Sequence, residues 1–165
     1  MSNRLEDDEM MRIAEQWITS RGVTIREIGE LVMMLQRDYY PDITLEECEF
    51  SVRKVLSKRE VQNAVLLGIN IDRLAERGLL DEPLAEIVRK DEGLFGCDEI
   101  LSLGIVNVYG SIGLTNFGYL DKTKPGVVGR LNKKNAENRI HTFLDDIICA
   151  IAAAASSRLA HDRPD

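Results

Sequence analysis

Along almost the whole chain, apolar residues return every three or four positions, the register of amphipathic helices. Residues 6–20 carry Met10, Ile13, Ala14, Trp17 and Ile18 in that register and stop near Gly22, which predicts a first helix. Thr24 and Thr44 each stand three residues before a glutamate, Glu27 and Glu47, ahead of an apolar run. That spacing lets each threonine and glutamate satisfy the other's backbone N–H, so helices are expected over about 25–38 and 45–56, with Pro41 in the turn between. "KREVQNAVLLGINIDRLAERG" continues as a long amphipathic helix ending before Gly78. "DEPLAEIVRKDEG" predicts a short helix capped by Asp81, with Pro83 in its first turn.

Two long segments remain. Residues 97–118, "CDEILSLGIVNVYGSIGLTNFG", are apolar almost all round, which suits a helix wrapped by others. Val106, Val108 and Tyr109 would also suit a strand, but Gly104, Gly110 and Gly113 fit close helix contacts better than a β-strand. After the turn "LDKTKPG" a short basic helix is expected to about 133, then a final helix over 139–160. On that helix Ile140, Phe143, Leu144, Ile147, Ile148 and Ile151 form an apolar face, while Ala150 and Ala152 to Ala155 keep the other side thin. No repeat or hairpin signal interrupts the pattern. The expectation is an all-α, single-domain bundle of about six to eight helices spanning 1–165, with a central apolar helix surrounded by the others.

Composition narrows the class. At 165 residues, 44% hydrophobic and 30% charged, the chain can bury one sizeable core. Its acidic opening lacks a signal-peptide layout and no run reaches the roughly 18 apolar residues of a span, so a cytoplasmic location is expected. Cys48, Cys97 and Cys149 show neither CxxC nor Cys/His spacing and read as reduced core residues. A net charge of −7 argues against nucleic acid as a partner. The charge is uneven, however: between Asp121 and Arg139, Lys122, Lys124, Arg130, Lys133, Lys134 and Arg139 outweigh Asp121 and Glu137 to give +4. An anion could be drawn to that stretch. The apolar bundle, with Met33, Met34, Tyr39 and Tyr40 clustered early, is further expected to form a homo-oligomer.

The chemistry lies in acids that interrupt apolar helices. Asp145 and Asp146 differ by about 100° around the last helix, so at least one must point toward the interior. Asp98-Glu99 stands at the mouth of an apolar helix and Asp121 follows that helix at its other end. Alone, the Asp98-Glu99 pair reads as a solvated cap, and His141 as a helix-surface histidine. Together, carboxylates on facing helices are a usual way to hold magnesium or manganese in a bundle, and Lys124 would give a phosphate a point charge. That combination points to metal-assisted phosphate chemistry.

"DEILSLGI", "YLDKTKPG" and "FLDDIICAI", in this order, resemble the three motifs of the phosphatidylglycerophosphatase A family: an Asp-Glu pair opening a helix, an Asp-x-x-Lys-Pro turn and a late Asp-Asp pair. The N-terminal half is similar to the family's soluble YutG-like branch, and for that branch the likeness spans almost the full chain. For the membrane-embedded branch it covers only about 96–155. The resemblance implies an all-α bundle with one surrounded helix and magnesium-dependent release of phosphate from phosphatidylglycerophosphate in phospholipid synthesis. Carried over, Asp98, Glu99, Asp121, Lys124, Asp145 and Asp146 match the motif positions; their chemistry assigns the five acids catalytic, metal-holding roles and Lys124 the substrate phosphate. A lipid head group would then be met from the water side, at the inner face of the membrane.

Rival chemistries leave weaker traces. There is no Cys-x5-Arg loop, Arg-His-Gly or Asp-x-Asp motif. An all-α magnesium enzyme acting on nucleotides or small phosphorylated metabolites needs similar acids, but Cys149 stands where an Asp-Asp-x-x-Asp motif needs its last aspartate. A non-catalytic helical module, with the acids paired to Lys124 and Arg130, is the remaining alternative.

Overall fold

Two threonines set the frame of the first half. Thr24 and Thr44 each accept from the backbone N–H three residues on, while Glu27 and Glu47 reach back to the threonine N–H, so both capping boxes form. A computed structural model describes residues 2–133 and 138–163, and among these it forms nine α-helices and no strand. In chain order they are α1 (Ser2–Ser20), α2 (Ile25–Gln36), α3 (Leu45–Leu56), α4 (Arg59–Glu76) and α5 (Leu84–Lys90), then α6 (Cys97–Val106), α7 (Ser111–Thr123), α8 (Val127–Asn132) and α9 (Leu144–Asp162). The all-α bundle expected from the periodicity is what forms. No helix among the described residues is long and apolar enough to cross a membrane.

The surrounded helix is α9, not the 97–118 stretch. Residues 144–157 of α9 are all buried, and α2, α3, α4, α6, α7 and α8 all pack on it. Its run of alanines, Ala152 to Ala155, lies fully inside, where small side chains let neighbours approach from every side. Residues 97–118 instead break in two: α6 ends in a 3₁₀ turn over Asn107–Tyr109, and Gly110 adopts φ +84°, outside the helical region. The break lets α7 fold back along α9. Gly113 sits at that contact, since a Cβ there would lie 2.9 Å from Val106 and 3.3 Å from the Ser157 hydroxyl. Gly104, expected to serve a close contact, faces open space.

Other local expectations shift for identifiable reasons. Asp81 does not cap α5 with its side chain; Glu82 does, accepting from the Glu86 N–H at 3.1 Å. Cys48 and Cys149 are buried thiols, but Cys97, at the start of α6, is exposed, so it is not a core residue.

The segment leading into α9 is held by side chains from elsewhere. Arg21, at the end of α1, is buried and donates to both oxygens of Glu76 and to the Ile140 carbonyl at 2.8 Å. Glu76 in turn accepts from the Ile140 N–H at 2.7 Å, and Thr142 donates to the Val88 carbonyl at 2.6 Å. The helix start itself has no local cap. Asp72, fully buried on α4, supplies one by accepting from the Phe143 and Leu144 N–H groups at 3.1 and 3.0 Å. Burial pushes its carboxyl well above the usual range despite those bonds. Replacing Asp72 with alanine leaves both N–H groups without a partner, so Asp72→Ala should lower unfolding stability by about 1–3 kcal/mol in a urea titration. A variant as stable as the parent would show that α9 starts without this cap.

Candidate metal centre

Three helix ends deliver the acids. Asp98 and Glu99 occupy the first turn of α6, Asp121 the last turn of α7, and Asp145 and Asp146 the first turn of α9. Lys124 ends α7 in a left-handed conformation (φ +48°), and its ammonium donates to Asp121 Oδ1 at 2.7 Å and Asp145 Oδ2 at 3.2 Å. All six residues line one cavity of about 230 Å³. The structure therefore brings together every acid singled out in the sequence, with the lysine. Neither member of the late pair is solvated: Asp145 and Asp146 are each 4% exposed, and Asp98 is 5% exposed rather than a solvated cap.

Within the cavity, carboxylate oxygens of Asp98, Glu99 and Asp146 all lie within 4.8 Å of one another. Asp98 Oδ1 and Glu99 Oε2 are buried and accept no hydrogen bond among the described residues. The acids also hydrogen-bond among themselves, Glu99 with Asp98 and Asp146 with Asp121. Two carboxylates can do so only when one carries a proton. Accordingly the contact with Asp98, together with burial, pushes Glu99 up to about 7. Burial raises Asp145 to about 6 even though Lys124 opposes it, and burial plus the Asp145 charge raises Asp146 further still. At Lys124 burial works against the charged form, but the bond to Asp121 and the charge of Asp145 outweigh it, so the ammonium is held more firmly than usual. The arrangement fits a hard divalent cation: oxygen donors only, two of them orphaned, in a cluster that otherwise retains protons.

Some expectations change. His141 is not on a helix surface; it precedes α9, is 8% exposed, and its Nδ1 lies 3.3 Å from Arg21 Nη2. Arginine only donates, so Nδ1 accepts and the neutral ring carries its proton on Nε2. Burial, reinforced by Arg21, lowers His141 to about 4. Arg130 does not pair with the acids; it binds Glu27 and the Gly22 carbonyl. Lys122 is exposed, and Lys134 and Glu137 lie outside the described residues. Sequence patterning missed Asp91 and Glu92, which line the same cavity from the turn after α5. Nothing in that exposed, charged turn distinguishes them from ordinary surface acids.

A family model described as "Phosphatidylglycerophosphatase A" matches residues 17–161. The chain belongs to the phosphatidylglycerophosphatase A family. Within this family of phosphatases it is 53% identical over 161 residues to the uncharacterized protein YutG of Bacillus subtilis, covering 98% of this chain and 96% of that one. Among solved structures it is similar to a protein of unknown function from Bacillus stearothermophilus (TM-score 0.90, 60% identity, 93% and 95% of the two chains). It is equally similar in fold to the low temperature requirement C protein of Listeria monocytogenes (TM-score 0.90, 56% identity, 93% and 96%).

The raised carboxyls carry a sign for stability. Folded Asp145 and Glu99 hold protons that their unfolded counterparts lose near pH 4, so the metal-free cluster loses stability as pH rises from about 4 to about 7. A divalent cation bound among these acids would take the place of those protons. Magnesium should therefore raise the melting temperature more at pH 8 than at pH 5, and its binding should release protons, read by calorimetry in buffers of different ionisation enthalpy. An equal shift at both pH values would contradict this electrostatic account.

Proposed function

We propose that the protein is a magnesium- or manganese-dependent phosphomonoester hydrolase whose substrate is phosphatidylglycerophosphate. The observation that carries this reading is the convergence of Asp98, Glu99 and Asp146 carboxylates, two with orphaned oxygens, beside a lysine in one cavity. Membership of the phosphatidylglycerophosphatase A family supports the same class.

Asp98, Glu99 and Asp146 would hold the ion, with Asp121 and Asp145 completing the acidic surround. A bound divalent ion supplies charge neutralisation for a phosphoryl group and a more acidic water. Lys124 uses two of its three N–H bonds on Asp121 and Asp145, which aims the ammonium and leaves a donor for a phosphoryl oxygen. Asp121 and Asp145 thus fix Lys124, and the Asp72 cap fixes the turn that carries Asp145 and Asp146. In the net reaction water adds to phosphorus, the ester P–O bond breaks, and the water's proton leaves with the alcohol as inorganic phosphate is released.

Phosphate release from phosphatidylglycerophosphate dispersed in detergent, compared with soluble phosphomonoesters and nucleotides, tests the substrate. Release should require magnesium or manganese, be fastest on the lipid, and fall at least about a hundredfold in Asp146→Asn with helicity retained. Faster release from soluble esters would remove the lipid. No release from any compound would remove the hydrolase and favour a helical binding module.

A further inference from the structure

A second cavity, of about 270 Å³, adjoins the acidic one, and the two share Asp91 and Asp145 as a common wall. Its character is opposite. Arg89 and Lys90 come from the last turn of α5, Lys133 from the end of α8, and Arg139 from the segment before α9. Four cationic side chains therefore face two shared acids, one of which already accepts from Lys124. His141 also lines this cavity with a ring that is neutral at pH 7; Nδ1 is turned to Arg21, so Nε2–H is its donor.

The salt bridges that Arg89 and Lys90 make, to Glu82 and Glu86, are among exposed side chains. Such pairs are worth little and exchange readily for a better anion. Lys124 and the acids that would hold the ion line the other cavity, so a phosphomonoester there gives Arg89, Lys90 and Lys133 no part, while Arg139 also donates to the Ser20 carbonyl at 3.4 Å.

We infer that the basic cavity is a subsite for a second phosphate of the substrate, so that the enzyme selects molecules carrying another phosphoryl group a few bonds from the ester it hydrolyses. This rests on the phosphatase reading for the first phosphate. The second can be the phosphodiester of a lipid head group or a phosphate of a soluble compound; the cations recognise the same oxygens in both.

The double variant Arg89→Ala/Lys133→Ala of the full chain removes two exposed cations outside the acid cluster, and circular dichroism checks its fold. Magnesium-dependent kinetics are measured on three compounds: phosphatidylglycerophosphate in detergent micelles, its deacylated head group, and glycerol 3-phosphate, which has one phosphate. KM should rise at least about tenfold for both two-phosphate compounds, while kcat/KM for glycerol 3-phosphate stays within about twofold. Equal loss on all three, no loss on any, or loss on the micelles alone overturns the subsite; the last would assign the cations to the lipid surface.

Calorimetric titration of the deacylated head group with magnesium separates this proposal from the phosphatase reading. If the parent protein hydrolyses nothing yet binds the head group at least about tenfold tighter than the double variant, the subsite stands and the hydrolase falls. Equal affinities, or no binding to the parent, overturn the subsite.

Discussion

Two adjacent carboxylates inside a fully surrounded helix are the constraint to which the rest of the structure answers. Asp145 and Asp146, each 4% exposed, are almost wholly buried in the first turn of α9, the helix on which six others pack. Charges in that setting are costly unless paired or neutralised. Lys124 neutralises one of them, and the neighbouring acids together with burial push Glu99 and Asp146 toward their protonated forms. A cluster that stays buried on such terms is a cluster suited to a divalent cation. The negative charge that destabilises the metal-free protein is the same charge that would hold the ion.

The fold places this cluster through contacts far apart in the chain. Arg21 and Glu76 clamp the backbone at Ile140, Thr142 ties it to α5, and Asp72 caps the start of α9 from α4. Gly110 breaks the chain so that α6 and α7 present Asp98, Glu99 and Asp121 from their opposite ends to one point. The alanine run of α9 makes the close approach feasible. On either side of Asp91 and Asp145 the polarity reverses, acids to one side and arginine and lysine to the other, which is the electrostatic layout that two phosphates beside a metal would call for.

Helix starts and the acidic points were legible in the sequence because each has a local cause. Thr24-x-x-Glu27 and Thr44-x-x-Glu47 carry their partner within one turn, and acids inside apolar periodicity stand out by type. What could not be seen depends on tertiary contact. Residues 97–118 are apolar enough for a surrounded helix, but a single positive-φ glycine divides them, and the alanine-rich stretch takes the centre instead. His141 reads as a helix-surface residue until Arg21 is brought against it, and Asp72 has no local signal of the cap it supplies to the α9 backbone. Lys133 and Arg139 stand in the basic stretch to which an anion could be drawn, but their meeting with Arg89 and Lys90 of α5 around one cavity depends on tertiary contact.

The central claim is that Asp98, Glu99 and Asp146 surround a divalent ion. Anomalous diffraction from crystals grown with manganese tests it most directly. The account predicts one or more strong peaks within coordination distance of all three carboxylates, near Lys124 but not bonded to it. Absence of a peak there at saturating manganese, or a peak only at surface acids elsewhere, would contradict it.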